Sequence, residues 1–131
     1  MVHDNIRRLP SLSLGEAMHL FGLTARALRF YEERGLITAR RNRANNRCYD
    51  ETARWRLGWI SALRAAGLAL RDIADVLQAQ ERNGRGQECA ILKLHARCAE
   101  VQLELAKIDL AVTRLGGLEP TLAVVRGQSR A

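Results

Sequence analysis

The feature that most constrains the fold is a regular apolar spacing near the C-terminus. Between residues 91 and 115, apolar side chains are separated alternately by three and four residues. This spacing is typical of a coiled-coil helix, because it places all of these side chains along one seam. The seam residues are Ile91, Leu94, Cys98, Val101, Leu105, Ile108, Val112 and Leu115.

A second apolar stripe follows another face of the same predicted helix, and its members are Leu92, Ala96, Ala99, Leu103, Ala106 and Leu110. A helix that is apolar on two sides needs two partners. An intramolecular partner would have to come from residues 118–125, which Gly117 and Pro120 interrupt. We therefore predict a dimerisation coiled-coil helix over residues 87–115, with the seam as the dimer interface and the second stripe on the preceding domain. Residues 116–131 are expected to form a short, loose tail.

Two shorter helices are predicted near the N-terminus. Ser13 and Glu16 have the spacing of a capping box, in which the serine hydroxyl accepts the Glu16 N–H and the glutamate reaches back. Apolar residues follow at helical spacing as far as Gly22, and Thr24 can cap a second helix over residues 25–34. Two short helices joined by so few residues predict a helix-turn-helix.

A β-hairpin is predicted next. Residues 36–38 and 47–49 are short β-like runs that flank a polar, basic loop at residues 39–46, a pattern typical of a hairpin wing. Asp50 can cap a third helix that ends at Gly67, and a fourth follows before the break at residues 83–86. The sequence therefore predicts a mainly α protein in which residues 12–82 form a winged helix-turn-helix.

The net positive charge lies in one half of the chain. Residues 1–71 hold 13 arginines and 6 acidic residues, and residues 72–131 hold 8 basic and 8 acidic residues, so the net charge of +7 lies in the N-terminal half. Arginine forms forked hydrogen bonds to phosphates and to guanine edges. A basic half joined to a neutral half is typical of a nucleic-acid-binding domain with an interaction element.

Other classes of protein are disfavoured by the composition. No apolar run approaches the roughly 20 residues that cross a bilayer, and residues 1–10 lack an apolar leader. The three cysteines are irregularly spaced and do not indicate a disulfide framework. The sequence shows neither a nucleophile paired with a base nor a glycine-rich phosphate loop. We expect a cytoplasmic protein that is not an enzyme, has no cofactor and does not act at a membrane.

The helix-turn-helix residues resemble a known family. Residues 13–17 read Ser-Leu-Gly-Glu-Ala, and residues 22–37 read Gly-Leu-Thr-Ala-Arg-Ala-Leu-Arg-Phe-Tyr-Glu-Glu-Arg-Gly-Leu-Ile. Both segments resemble the opening of the MerR family of transcriptional regulators, and residues 47–50 and 63–68 resemble the end of its wing and its next helix pair. The resemblance is specific from residue 12 to about residue 80, whereas residues 87–115 match in architecture only.

This resemblance implies a homodimer that binds double-stranded DNA. Members place two recognition helices in successive major grooves of a near-palindromic operator, through antiparallel coiled coils. They commonly bend and untwist an overlong promoter spacer, and a contact with RNA polymerase at the promoter is compatible with this role. The DNA-binding residues that we predict are Thr24, Arg26, Arg29, Tyr31, Arg40, Arg41, Arg43, Arg47 and Tyr49.

The physical chemistry of these positions agrees with the assignment. Arg26 and Arg29 are neighbours on one helical face and can enter one groove together. In an extended wing, Arg47 and Tyr49 share a face, and Cys48 is expected to point into the core. The loop arginines are expected to follow phosphates, which provide affinity and salt dependence without sequence choice.

Two departures from the family pattern affect turns and caps. Asn45 and Asn46 stand where glycine often precedes the wing arginine, and asparagine tolerates the left-handed backbone that such a turn needs. Ala69 stands where serine or threonine often caps the fourth helix, which removes about 1 kcal/mol of capping. Neither change threatens the fold.

A metal- or redox-responsive sensor of the same family is the first alternative. Cys89 and Cys98 are nine residues apart, which on one helix separates them by about 13.5 Å and roughly half a turn. One chain therefore cannot chelate an ion with both, and His95 is a lone histidine, so we predict no metal site. The second alternative is an architectural DNA-binding adaptor that uses the same domain without regulating a promoter.

Overall fold

The computed structural model describes residues 11–116, which form a mainly helical chain with a small antiparallel sheet. The strands are β1 (Leu12–Ser13), β2 (Arg40–Arg41) and β3 (Arg47–Tyr49). The helices are α1 (Leu14–Phe21), α2 (Ala25–Glu33), α3 (Glu51–Ala65), α4 (Leu70–Asn83) and α5 (Gly86–Arg114). The predicted fold class is confirmed: a winged helix-turn-helix is followed by one long helix.

The capping signals are confirmed residue by residue. The Ser13 hydroxyl accepts the Glu16 N–H at 3.1 Å, and the Glu16 carboxylate accepts the Ser13 N–H at 2.9 Å. Thr24 caps α2 through the Ala27 N–H, and Asp50 caps α3 through the Ala53 N–H. Helix α4 follows Ala69 at its N-cap position and has no side-chain cap, as expected.

The sheet differs from the predicted hairpin. β3 lies in the middle, paired on one side with β2 and on the other with β1, a strand that the sequence did not predict. The first wing strand lies at Arg40–Arg41 and not at residues 36–38. The Leu36 N–H donates to the Tyr31 carbonyl at the end of α2, and the Leu36 carbonyl accepts from Arg56. Both backbone groups of Leu36 are thus used elsewhere, and its side chain is buried.

The hydrophobic core lies where the first four helices pack together and against the sheet. Its largest fully buried side chains are Tyr49, Leu12, Leu28, Leu57, Ile60, Ile73, Leu77 and Val76. Leu12 of β1 lies opposite Tyr49 of β3 in the sheet register. The buried apolar residues of α3 and α4 therefore form one core with Leu28 of α2 and Tyr49 of β3.

The turn between α4 and α5 brings two helices very close together. Gly84 adopts a left-handed backbone with a φ of 71°. The buried Gly86 donates its N–H to the Gln80 side chain at 3.1 Å. Further along α5, the Lys93 ammonium lies 3.1 Å from Asp72 and 3.4 Å from Asp75 of α4. The hydrogen bond that Lys93 donates to the Asp72 carboxylate raises the pKa of Lys93, and this ion pair holds the beginning of α5 against α4.

The chain divides into two compact units between Lys93 and Leu94. In the second unit, Arg97 pairs with Glu100 and Glu104 along the helix surface. The large apolar side chains that are exposed on α5 and just after it are Ile91, Leu92, Val101, Leu103, Ile108, Leu110 and Leu115.

The division into domains at residues 12–82 and 87–115 stays a prediction. Of the predicted tail, only Gly116 lies within the described residues.

Among the described helices, none is long and apolar enough to cross a membrane.

Replacing Gly86 by alanine is expected to destabilise the protein. An added Cβ would lie 2.7 Å from the Gln80 Cβ and 3.1 Å from the Val76 carbonyl oxygen, so α4 and α5 would have to separate. Overpacking of this kind costs about 1–3 kcal/mol of unfolding free energy, measurable by chemical denaturation. Gly15→Ala is the control, because nothing lies within 4 Å of its added Cβ. Equal stability of both variants would show that the α4–α5 turn is not tightly packed.

Candidate nucleic-acid interface

The second helix of the helix-turn-helix, α2, presents two arginines on its outer side. Arg26 and Arg29 are exposed, whereas Leu28 is fully buried. The helix start is fixed by Thr24, whose hydroxyl accepts the Ala27 N–H at 3.0 Å. A capped helix with a buried inner face holds both arginine stems on one exposed surface, where they can act together on a groove.

Two predicted contact residues lie inside the protein. Tyr31 is 7% exposed and Tyr49 is 0% exposed. The predicted alternation of the wing is therefore reversed, since Tyr49 fills the core and Cys48 is half-buried. The physical reason is that β3 packs against α1 and α3, and Tyr49 is buried there together with Leu12, its cross-strand neighbour. Neither tyrosine ring offers appreciable surface to a duplex in this conformation.

An aromatic residue that the sequence analysis did not assign to the site lies among the arginines. Phe30 is 41% exposed, and the Arg34 guanidinium lies over its ring at 5.5 Å. Its spacing of four residues from Arg26 places it on the outer helical face, which is the signal that could have identified it. The outer face of α2 thus combines cationic groups with one apolar ring.

The tip of the wing is a turn built by asparagines. The Asn42 side chain accepts the N–H groups of Ala44 at 2.9 Å and Asn46 at 3.0 Å. Asn45 has a φ of 62°, the left-handed conformation expected where the family often has glycine. The exposed Arg43 follows Asn42 within this turn. Side-chain hydrogen bonds therefore replace glycine in shaping the tip.

The two arginines of β2 are placed by different partners. Arg40 lies 3.1 Å from Asp50, and its side chain remains 73% exposed. Arg41 donates to the Asn45 carbonyl at 3.1 Å. An open cleft of about 300 Å³ is lined by Ser13, Leu14, Gly15, Arg41, Asn46 and Arg47. The beginning of α1 and two wing arginines therefore surround one basic cleft.

A carboxylate connects α2 to β3. The Arg47 Nε donates to the Glu32 Oε1 at 3.3 Å and to its Oε2 at 3.2 Å, and the Tyr49 hydroxyl donates to Oε2 at 3.4 Å. Burial, followed by the negative charge of Glu32, raises the pKa of Tyr49 to about 12. Tyr49 therefore stays protonated and able to donate at physiological pH. The sequence analysis did not single out Glu32.

The three cysteines are free thiols that differ in exposure. Cys48 and Cys89 are half-buried, and Cys98 is exposed. Within residues 11–116, no group of three or more histidine, cysteine, aspartate or glutamate side chains is arranged to hold a metal ion.

Comparison with known proteins shows the family. Residues 12–80 match the family described as MerR HTH family regulatory protein, which is more than half of the chain. This chain belongs to the MerR family of transcriptional regulators, as its helix-turn-helix residues indicated. The family consists of regulators and not of enzymes.

Individual relatives support the assignment. The HTH-type transcriptional regulator CueR of Bacillus subtilis is 38% identical over 80 residues, which are 61% of this chain and 56% of that protein. This chain spans about half the length of the curated relatives that it matches.

Solved structures show the same fold. HiNmlR, a MerR family regulator that lacks the sensor domain and is bound to promoter DNA, superposes with a TM-score of 0.59 at 20% identity over 79% of each chain. PbrR691 of Ralstonia metallidurans CH34, in complex with lead(II), has a TM-score of 0.59 at 25% identity over 84% of this chain and 92% of that one.

Proposed function

We propose that this regulator binds double-stranded DNA sequence-specifically as a homodimer, at a near-palindromic promoter operator that it bends and untwists. The observation that carries the proposal is the exposed pair Arg26 and Arg29 on a capped helix, beside a wing that exposes Arg40, Arg41 and Arg43. Helices of this kind enter the major groove, and basic wings contact the flanking backbone. The solved relative bound to promoter DNA has the same fold.

The residues divide by chemistry into two sets. Arg26 and Arg29 can form forked hydrogen bonds with guanine, the commonest specific contact in the major groove. Thr24, at the beginning of the same helix, is exposed and can reach the backbone. Arg40, Arg41 and Arg43 supply phosphate contacts, and these set affinity and salt dependence. Tyr31 and Tyr49 support the two elements from the core and are not themselves part of the contact surface.

The apolar seam supports the homodimer. Val101, Ile108 and Leu115 of the predicted seam are 43%, 54% and 87% exposed, and Leu103 and Leu110 of the second stripe are 58% and 50% exposed. Soluble proteins rarely leave such a continuous apolar surface uncovered. A second copy of the same helix offers the matching heptad spacing. We therefore assign the seam to the dimer contact, with RNA polymerase as the further partner at a promoter.

The proposal is tested by selecting duplexes from a random pool with the purified protein. We expect enrichment of one site with two related half-sites, centred about one helical turn or a multiple of it apart, because a two-fold dimer presents two recognition helices. The bend is measured on the selected duplex from the gel mobility of permuted fragments. Enrichment of no common sequence would contradict a sequence-specific regulator and favour an architectural role.

Replacing Arg29 by alanine is expected to weaken binding to the selected duplex by about 1–3 kcal/mol and to relax discrimination at one position of each half-site. The reason is the loss of one base contact while the remaining surface persists. Fluorescence anisotropy on the selected duplex and on single-position variants measures the change. An equal loss on selected and random duplexes would instead identify Arg29 as a phosphate contact.

Replacing Val101 and Leu105 together by aspartate is expected to dissociate the dimer, because both charges would lie in the apolar seam at consecutive heptad positions. Sedimentation velocity measures the change in mass. Lys107→Glu is the control, since it alters the net charge by the same amount at an exposed position outside both stripes. A doubly substituted protein that still sediments as a dimer would refute the seam as the interface.

A further inference from the structure

Glu32 has an unexpected position for an acidic residue of a DNA-binding helix. It lies in the last turns of α2, on the element that carries Arg26 and Arg29. Its carboxylate turns toward the wing and accepts both the Arg47 Nε and the Tyr49 hydroxyl. These partners follow 15 and 17 residues later in the sequence. One side chain therefore joins the recognition helix to the central strand of the sheet.

The surroundings make this contact more than a surface ion pair. The Glu32 side chain is 18% exposed and that of Arg47 is 28% exposed, so solvent screens the pair less than it would an open one. Hydrogen bonds between ionised partners are also stronger than neutral ones. The Tyr49 ring is fully buried, which gives the network one rigid end in the core.

A negative charge at this place opposes DNA binding in general. Every acidic group near the contact surface repels the phosphate backbone, so long-range electrostatics alone would favour its removal. Glu33, the next residue, is exposed and carries the same charge on the same helix. The two glutamates therefore provide a comparison in which charge is constant and the connection to the wing differs.

We propose that Glu32 is a positioning residue for DNA recognition, which holds the wing at a fixed distance from the recognition helix through Arg47 and Tyr49. Arg47 is then a strut between the two elements and not one of the phosphate contacts. The inference rests on the proposed DNA-binding function. Both elements must meet the duplex simultaneously, and a small displacement of either one misaligns its contacts.

The test compares Glu32→Ala with Glu33→Ala on the duplex selected by the unaltered protein and on a scrambled duplex. Each substitution removes one negative charge, so both variants would bind DNA more tightly than the parent if net charge alone determined affinity. We expect Glu33→Ala to bind both duplexes as tightly as the parent or more so. We expect Glu32→Ala to lose about tenfold in affinity for the selected duplex, as for a lost charge-assisted hydrogen bond, and little for the scrambled one.

The outcome that would overturn the inference is a Glu32→Ala protein that binds the selected duplex at least as tightly as Glu33→Ala. A parent protein that enriches no duplex would instead refute the proposed function itself. Thermal unfolding of both variants shows whether the binding measurements are made on folded protein.

A charge exchange keeps the inference testable where Glu32→Ala does not fold. Glu32→Arg combined with Arg47→Glu restores an ion pair between α2 and β3 without altering the net charge. If Arg47 connects α2 to β3 through Glu32, the exchanged protein should prefer the selected duplex over the scrambled one more strongly than Arg47→Glu alone does. If Arg47 contacted phosphate, the exchange would restore nothing, and a folded exchanged protein without that preference would refute the positioning role.

Discussion

The DNA-binding unit depends on the central strand of its sheet, β3, and within it on Tyr49. The backbone of β3 pairs with β1 on one side and with β2 on the other. The Tyr49 ring is fully buried, and its hydroxyl reaches Glu32 of the recognition helix. The next residue, Asp50, caps α3. Removal of this strand would separate the wing, the recognition helix and the start of α3 at once.

Local signals predicted most of the fold, because the forces that end and begin helices act over a few residues. Ser13 with Glu16, Thr24 and Asp50 each placed a helix start correctly. At the wing tip, the left-handed backbone of Asn45 was likewise predicted from the residue type at that position. Such features need only the side chain and the adjacent backbone, so they are visible in one sequence.

The features that the sequence missed involve partners distant along the chain. Alternation in the wing correctly separated Cys48 from its neighbours, but periodicity cannot tell which face of a strand is inside. That face is set by the packing of α1 and α3 against β3, which buries Tyr49 together with Leu12 of β1. The role of Glu32 likewise needs Arg47 and Tyr49 brought to one place. The exposed position of Arg26 and Arg29 was therefore predicted correctly and the orientation of Tyr49 wrongly, whereas the role of these residues in DNA contact stays a prediction.

The long helix poses a different physical problem, since its beginning packs against other described residues of the chain and its later part exposes large apolar side chains. Its beginning is held by the close approach of Gly86 to Gln80 and by the ion pair of Lys93 with Asp72. Beyond residue 93, apolar side chains are exposed on two stripes, and an isolated helix in water gains little from propensity alone. Burial of the seam against a second copy would stabilise this segment. Because the same helix begins in contacts with α4, a dimer contact along it would be joined by continuous backbone to the unit that carries the recognition helix.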